Sequence, residues 1–262
     1  MKEKAFQSVT DNELGDLLFP VGDTVMAPTI HSNGSWEENE INWLKKNVSS
    51  GDNCINVGAN VGYFSIWLGK LAGKDGSVTA FEPNPKLIPL FNFNIQNSKL
   101  ENVRLHKVAV GNRTGFQWLY LNEKNFGDSR MFDPRITSGG GNYREHGFHR
   151  IPKRTLVRII KLDDLLKDKI DVVLIDTQGY DHEVLRGMNS IIKRFHPKIL
   201  TEFVPQWLTD MGENPLKVLD EYKSWGYSIS STDFDIPANS SSKDVLDALQ
   251  SADSYFTNLT LS

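Results

Sequence analysis

The run Ile55-Asn56-Val57-Gly58-Ala59-Asn60-Val61-Gly62-Tyr63-Phe64-Ser65 constrains the fold more than any other stretch, because it reads as a strand, a glycine-punctuated turn and the start of an amphipathic helix. Gly58 can take the dihedrals that a tight strand-to-helix turn needs, and Gly62 lets a ligand and the helix approach without a Cβ between them. Such a turn holds a nucleoside. The dinucleotide fingerprint Gly-x-Gly-x-x-Gly would pack a pyrophosphate, but position 60 is Asn and no third glycine stands at the required offset. Beyond it, Val78-Thr79-Ala80-Phe81-Glu82-Pro83 is a second apolar strand ending in a carboxylate, where a neighbouring strand would accept ribose hydroxyls. A nucleoside bound without pyrophosphate points to S-adenosylmethionine.

Four segments in this order and spacing carry a family resemblance: Asn56 to Ser65, Phe81-Glu82-Pro83, Leu162-Asp163-Asp164, and Ile175-Asp176-Thr177-Gln178-Gly179-Tyr180-Asp181-His182-Glu183-Val184-Leu185-Arg186-Gly187. Together they resemble the FkbM family of S-adenosylmethionine-dependent methyltransferases over roughly residues 35 to 260. The resemblance implies a class I methyltransferase fold, a Rossmann-like, doubly wound, mostly parallel seven-stranded sheet with an antiparallel C-terminal edge pair. It also implies methyl transfer to hydroxyls of sugars, glycans or polyketide products. Leu174 stands where the family usually has lysine and Gln178 where it often has glutamate, while Asp176, Gly179 and Asp181 keep the pattern.

With 262 residues, of which 39% are apolar, the chain can build one large α/β domain. No apolar run reaches about 18 residues and no signal-peptide pattern opens the chain, so the expectation is a soluble, cytoplasmic protein with no membrane partner. Cys54, the single cysteine, falls in the first core strand and reads as a small buried hydrophobe. The formal charge of −4 argues against a general nucleic-acid binder. It is unevenly spread, since Arg130 to Lys161 holds eight basic residues and two acidic ones.

Residues 1–34 show little periodicity and read as an irregular N-terminal arm with one short helix. The methyltransferase domain then runs over 35–262, opened by a capping box of Ser35 and Glu38 before a helix from about 36 to 48. Strands are expected near 53–58, 77–82, 103–108, 171–176 and 198–203, alternating with helices near 63–73, 85–97, 181–194 and 214–225. Residues 225–229 and 254–259 read as two further strands. Between a hairpin at 114–122 and a strand at 156–160 lies an aperiodic segment with Gly139-Gly140-Gly141. Its length and charge mark a basic substrate lid inserted near 123–155.

In a parallel sheet the ligand site lies beyond the carboxyl ends of the strands. Donor-binding candidates are therefore Asn56, Gly58, Asn60 and Gly62 of the turn, Glu82 for the ribose, and Ala109 as adenine wall. The resemblance adds Asp128 and Ser129, within a segment that closes over the donor in the family, and places Asp176 near the sulfonium. A hydroxyl acceptor must lose a proton, so Asp176, His146 and His149 are the candidate bases, while His106 and His196 look structural. Asp163, Asp164, Asp176, Asp181 and Glu202 offer oxygen ligands, so a divalent metal is compatible but not indicated, and helix capping is the better default. One cysteine and no paired-histidine motif disfavour zinc.

The leading expectation is an O-methyltransferase acting on a sugar, glycan or related natural product, with the basic segment suiting an anionic acceptor. The alternatives are a nucleic-acid methyltransferase, disfavoured because Asp176-Thr177-Gln178-Gly179 has no aromatic or proline to stack a base, and a non-catalytic binder on the same fold. A homo-oligomer is left open.

Overall fold

The computed structural model describes residues 6–136, 152–237 and 239–262. An N-terminal hairpin of β1 (Phe6–Asp11) and β2 (Gly15–Pro20) leads into α1 (Met26–Asn33) and α2 (Glu38–Asn47). Then β3 (Asn53–Val57), α3 (Tyr63–Ala72), β4 (Ser77–Phe81), α4 (Ile88–Asn97) and β5 (Val103–His106) alternate. Next come β6 (Ala109–Val110), β7 (Gly115–Tyr120), β8 (Arg154–Ile160) and α5 (Leu162–Leu165). The chain continues through β9 (Val172–Ile175), α6 (Asp181–Arg186), α7 (Asn189–Phe195), β10 (Lys198–Phe203), α8 (Pro205–Asp210), α9 (Pro215–Ser224), β11 (Ile229–Ser231), α10 (Ser242–Ser251) and β12 (Thr257–Leu261).

The main sheet has seven strands in the order β11-β12-β10-β9-β3-β4-β5. β5, β4, β3, β9 and β10 run parallel, whereas β12 pairs antiparallel with both β10 and β11. This is the class I methyltransferase architecture with its antiparallel edge pair. Alternation along each strand sends side chains to opposite faces. Ile55, Val57, Val173, Ile175 and Ile199 pack against α6, α7 and α9, while Cys54, Val78, Val172, Leu174 and Leu200 share the other core with α3, α4 and the N-terminal hairpin. Leu174, where the family usually has lysine, is thus a core residue. Burial pushes the Cys54 thiol up to about 12, consistent with an inert hydrophobe.

The N-terminal segment is not irregular. Val9, Leu17 and Phe19 join the core, Asp11 Oδ1 accepts the N–H groups of Glu13 and Leu14 to shape the turn, and Asn94 of α4 bonds both the N–H and the C=O of Leu18. The Ser35/Glu38 capping box does not form either. Glu37 is the N-cap, in a left-handed conformation (φ 46°) and without a side-chain cap, because the Trp36 N–H is held by the Tyr63 hydroxyl and the chain turns there.

The helix expected over 181–194 is split at Gly187, where an added Cβ would stand 2.1 Å from the Gly111 carbonyl oxygen, so close approach of two backbones ends α6. The third strand stops at His106. β6, β7 and β8 form a separate three-stranded sheet in the order β6-β8-β7, inserted between β5 and β9. Residues 137–151 of the expected lid, with Gly139-Gly140-Gly141, lie outside the described residues. No helix among the described residues is long and apolar enough to cross a membrane.

Candidate active site

The turn after β3 is wedged between its neighbours. Gly58 takes φ 84°, and a Cβ there would lie 1.8 Å from the carbonyl oxygen of Asp176, so only glycine lets the ends of β3 and β9 meet. The N–H groups of Gly58 and Ala59 both donate to the Phe81 carbonyl, and the Asp176 N–H donates to Val57. Gly62 is left-handed at the start of α3 and packs on Phe91 of α4. These bonds gather the ends of β3, β4 and β9 into one rim.

Two cavities open from that rim. The first is walled by Phe81, Leu87, Val108, Ala109, Val110, Leu119 and Met131, with Glu82, Ser129 and Asp176 among its polar groups. The second adds Trp36, Glu37, Phe64, Glu202 and Phe256. Gly58, Asn60, Gly127, Asp176 and Gln178 line both.

Glu82 is buried, with Oε2 accepting the N–H of Asn60 at 2.7 Å and Oε1 accepting that of Asn84 at 2.7 Å. Burial lifts its pKa to about 7, against the lowering effect of those two bonds. Each oxygen keeps further acceptor capacity toward the cavity. A buried carboxylate beside an apolar slot is the chemistry a nucleoside calls for: Glu82 could accept hydroxyl donors, and Ala109, Val110, Leu119 and Met131 offer an apolar wall.

The second cavity is acidic. Burial raises the pKa of Asp176, with the charges of Asp128 and Glu40 adding to it. Burial and the Asp176 charge likewise hold Glu37 and Glu202 well above the ordinary carboxylate range. Asp176 Oδ1 accepts the Gln178 side-chain amide at 2.6 Å, while Glu202 Oε2 has no hydrogen-bond partner among the described residues. Among the described residues that line this cavity there is no lysine or arginine.

Of the residues singled out in the sequence, Gly58, Asn60, Glu82, Ala109, Ser129 and Asp176 converge on the cavities. Gly62 shapes the turn from behind. Asn56 is buried and donates to the Ser65 hydroxyl, lining neither cavity. Asp128 also lines neither; its carboxylate is engaged by Arg130 and Asn122. His146 and His149 lie outside the described residues. His106 stacks on Phe81 and His196 on Tyr227, both structural.

Asp163 caps α7 by accepting the N–H groups of Ser190 and Ile191, and Asp181 accepts from the Thr177 and Thr201 hydroxyls. Among the described residues, His182, Glu183 and Glu213 bring potential metal-ligand atoms within 4.8 Å of one another, but Arg186 already pairs with both carboxylates. Trp36 and Glu37 escaped the sequence reading because their place depends on the left-handed entry into α2. Phe126 and Met131 flank a segment that had been singled out only for Asp128 and Ser129.

The methyltransferase FkbM domain profile matches residues 56–229. Among solved structures, the FkbM methyltransferase from Methylobacillus flagellatus KT is 13% identical, with a TM-score of 0.49, 82% of this chain covered and 44% of that one. This chain therefore spans less than half of that protein's length. A candidate rRNA methylase from Clostridium thermocellum is 12% identical, with a TM-score of 0.51 and coverage of 86% and 93%. At such identity the likeness shows a shared fold alone. No curated protein matches the chain significantly. The profile match spans most of the chain and takes in the glycine turn, Glu82 and Asp176: the chain belongs to the FkbM family of S-adenosylmethionine-dependent methyltransferases.

Proposed function

We propose that this protein is an O-methyltransferase that moves the methyl of S-adenosylmethionine to a hydroxyl of a sugar, glycan or related natural product. The observation that carries the reading is the position of Asp176, which lines both the apolar cleft beside Glu82 and the acidic cavity next to it. When bound, the donor supplies an already activated methyl, so the protein's main task is to align it with the acceptor oxygen. Glu82 and the apolar wall would hold the donor's nucleoside, with the Gly58–Asn60 turn beside them lining both cavities. The acceptor enters by the second cavity, against Trp36 and Phe256. Asp176 takes the hydroxyl proton as the O–C bond forms and the S–C bond breaks, leaving a thioether and a methyl ether. Its raised pKa makes it a better base than an ordinary carboxylate.

The carboxylates Glu37, Asp176 and Glu202 favour an acceptor that presents hydroxyl donors at the reacting end. Such a cluster of carboxylates disfavours a phosphate or carboxylate at the reacting end of the acceptor. Screening labelled S-adenosylmethionine against sugars, glycans and oligonucleotides tests the reading. Label on a sugar hydroxyl supports it, whereas label on nucleic acid alone replaces it with the nucleic-acid alternative.

A further inference from the structure

The outer face of the inserted sheet carries a surface that methyl transfer does not use. Antiparallel pairing of β7 and β8 sets Phe116 opposite Arg158, Trp118 opposite Leu156 and Tyr120 opposite Arg154. Strand alternation puts all six on one face, and Phe116, Leu156 and Trp118 are 66%, 54% and 41% exposed. The opposite face, with Leu119, Val157 and Ile159, is buried, and Leu119 there walls the donor cleft. Single exposed hydrophobes are ordinary. Three large ones facing solvent on one strand pair, where polar residues are the norm, mark a contact surface.

The chemistry of this face selects its partner. Arg154 and Arg158 are exposed beside the apolar side chains, and the Arg154 guanidinium lies 4.4 Å over the Trp118 ring. That guanidinium covers one face of the Trp118 ring and Leu156 next to it has no π face, so of the three apolar side chains only Phe116 presents an uncovered ring, short of the row of rings on which successive bases stack. Tryptophan with arginine, over an aliphatic and a phenyl group, is instead the composition that sits at a lipid headgroup layer, rings and leucine toward the acyl chains and guanidinium groups on phosphates. We propose that the Phe116–Trp118–Leu156 face docks this protein peripherally on an anionic lipid bilayer, with Arg154 and Arg158 on the headgroups. The contact proposed is peripheral, and no helix among the described residues is long and apolar enough to span the bilayer. The chain rests on the bilayer through the outer side of the sheet whose inner side closes the donor cleft, whatever the acceptor.

The test is co-sedimentation of the full chain with phosphatidylcholine vesicles, with and without phosphatidylglycerol. Binding is expected only with the anionic lipid and should weaken with added salt. The variant Phe116→Ser/Trp118→Ser/Leu156→Ser should abolish it. Arg154→Gln/Arg158→Gln should weaken it by about 25-fold, at about fivefold for each basic residue at the surface. Both variants should keep wild-type affinity for S-adenosylmethionine, which reports an intact fold. The proposal fails if the wild type does not sediment with either vesicle, or if both variants still do. It fails equally if the face binds a polyuridine oligonucleotide in place of vesicles, or if light scattering shows a dimer that the triple-serine variant dissolves.

Discussion

The backbone N–H of Asn60 donates to Glu82 Oε2 at 2.7 Å, so the glycine turn after β3 and the carboxylate at the end of β4 are one unit. In the proposed donor site this couples ribose recognition to turn geometry. Glu82→Gln keeps the shape but removes the charge and presents an N–H in place of one acceptor. A hydrogen bond to a charged group is worth about 1.5 to 3 kcal/mol, so donor affinity should fall by roughly 10- to 150-fold. Titration calorimetry measures this, with circular dichroism as the check on folding. An affinity within about twofold of wild type, far below that range, would remove Glu82 from the donor site.

The same carboxylate predicts a pH dependence. Its pKa is raised to about 7 in the folded protein without donor, above its unfolded value of 4.5. Its contribution to stability is thus full below the unfolded value and lost as pH rises through about 7. The donor-free protein should melt at a higher temperature near pH 5.5 than near pH 8, aided by Asp176, Glu37 and Glu202, which are shifted in the same direction. Donor binding needs Glu82 ionised, so affinity should decline as pH falls below about 7, approaching tenfold per unit, and Glu82→Gln should flatten that decline. Equal donor affinity at pH 6 and pH 8 in the wild type would contradict this.

Gly58→Ala tests the wedge between β3 and β9. The new Cβ would sit 1.8 Å from the Asp176 carbonyl oxygen in a backbone already at φ 84°. Left-handed strain costs about 1 to 2 kcal/mol and overpacking about 1 to 3 more, so the melting temperature should drop by roughly 5 °C or more. Donor binding should be lost with it, because the turn moves away from Glu82. Differential scanning calorimetry would refute the wedge if the variant melted with the wild type.

How much of this was readable in advance depends on how local each feature is. The turn, the strand-end Glu82 and Asp176, and the alternation of strands and helices are written within about twenty consecutive residues each, and the structure places them as read. The N-terminal hairpin was missed because it is anchored through Asn94 and Tyr63, far away in the chain. The splitting of the helix at Gly187 depends on Gly111, and the acidic cavity depends on Glu37, Asp176 and Glu202 arriving from three separate elements. Spacing along a sequence carries no trace of such meetings. Asp128 is a donor candidate by family resemblance alone, and the sequence does not show that Arg130, two residues on, engages its carboxylate.

Asp176→Asn separates base from scaffold. The substitution keeps size and one acceptor oxygen for the Gln178 amide but removes basicity, at a residue whose backbone N–H already fixes it to Val57. If Asp176 takes the acceptor's proton, kcat should fall by about 10² to 10⁴, while the donor's dissociation constant stays within about threefold. The pH profile sharpens the test. Asp176 titrates above the ordinary carboxylate range because of burial and then the Asp128 and Glu40 charges, so wild-type activity should climb as pH rises through that shifted value. That climb should disappear in the variant. A loss of donor affinity matching the loss of turnover would instead assign Asp176 to the donor's amino group. Glu202, whose Oε2 lacks a partner among the described residues, would then be the next carboxylate to test as base, by Glu202→Gln.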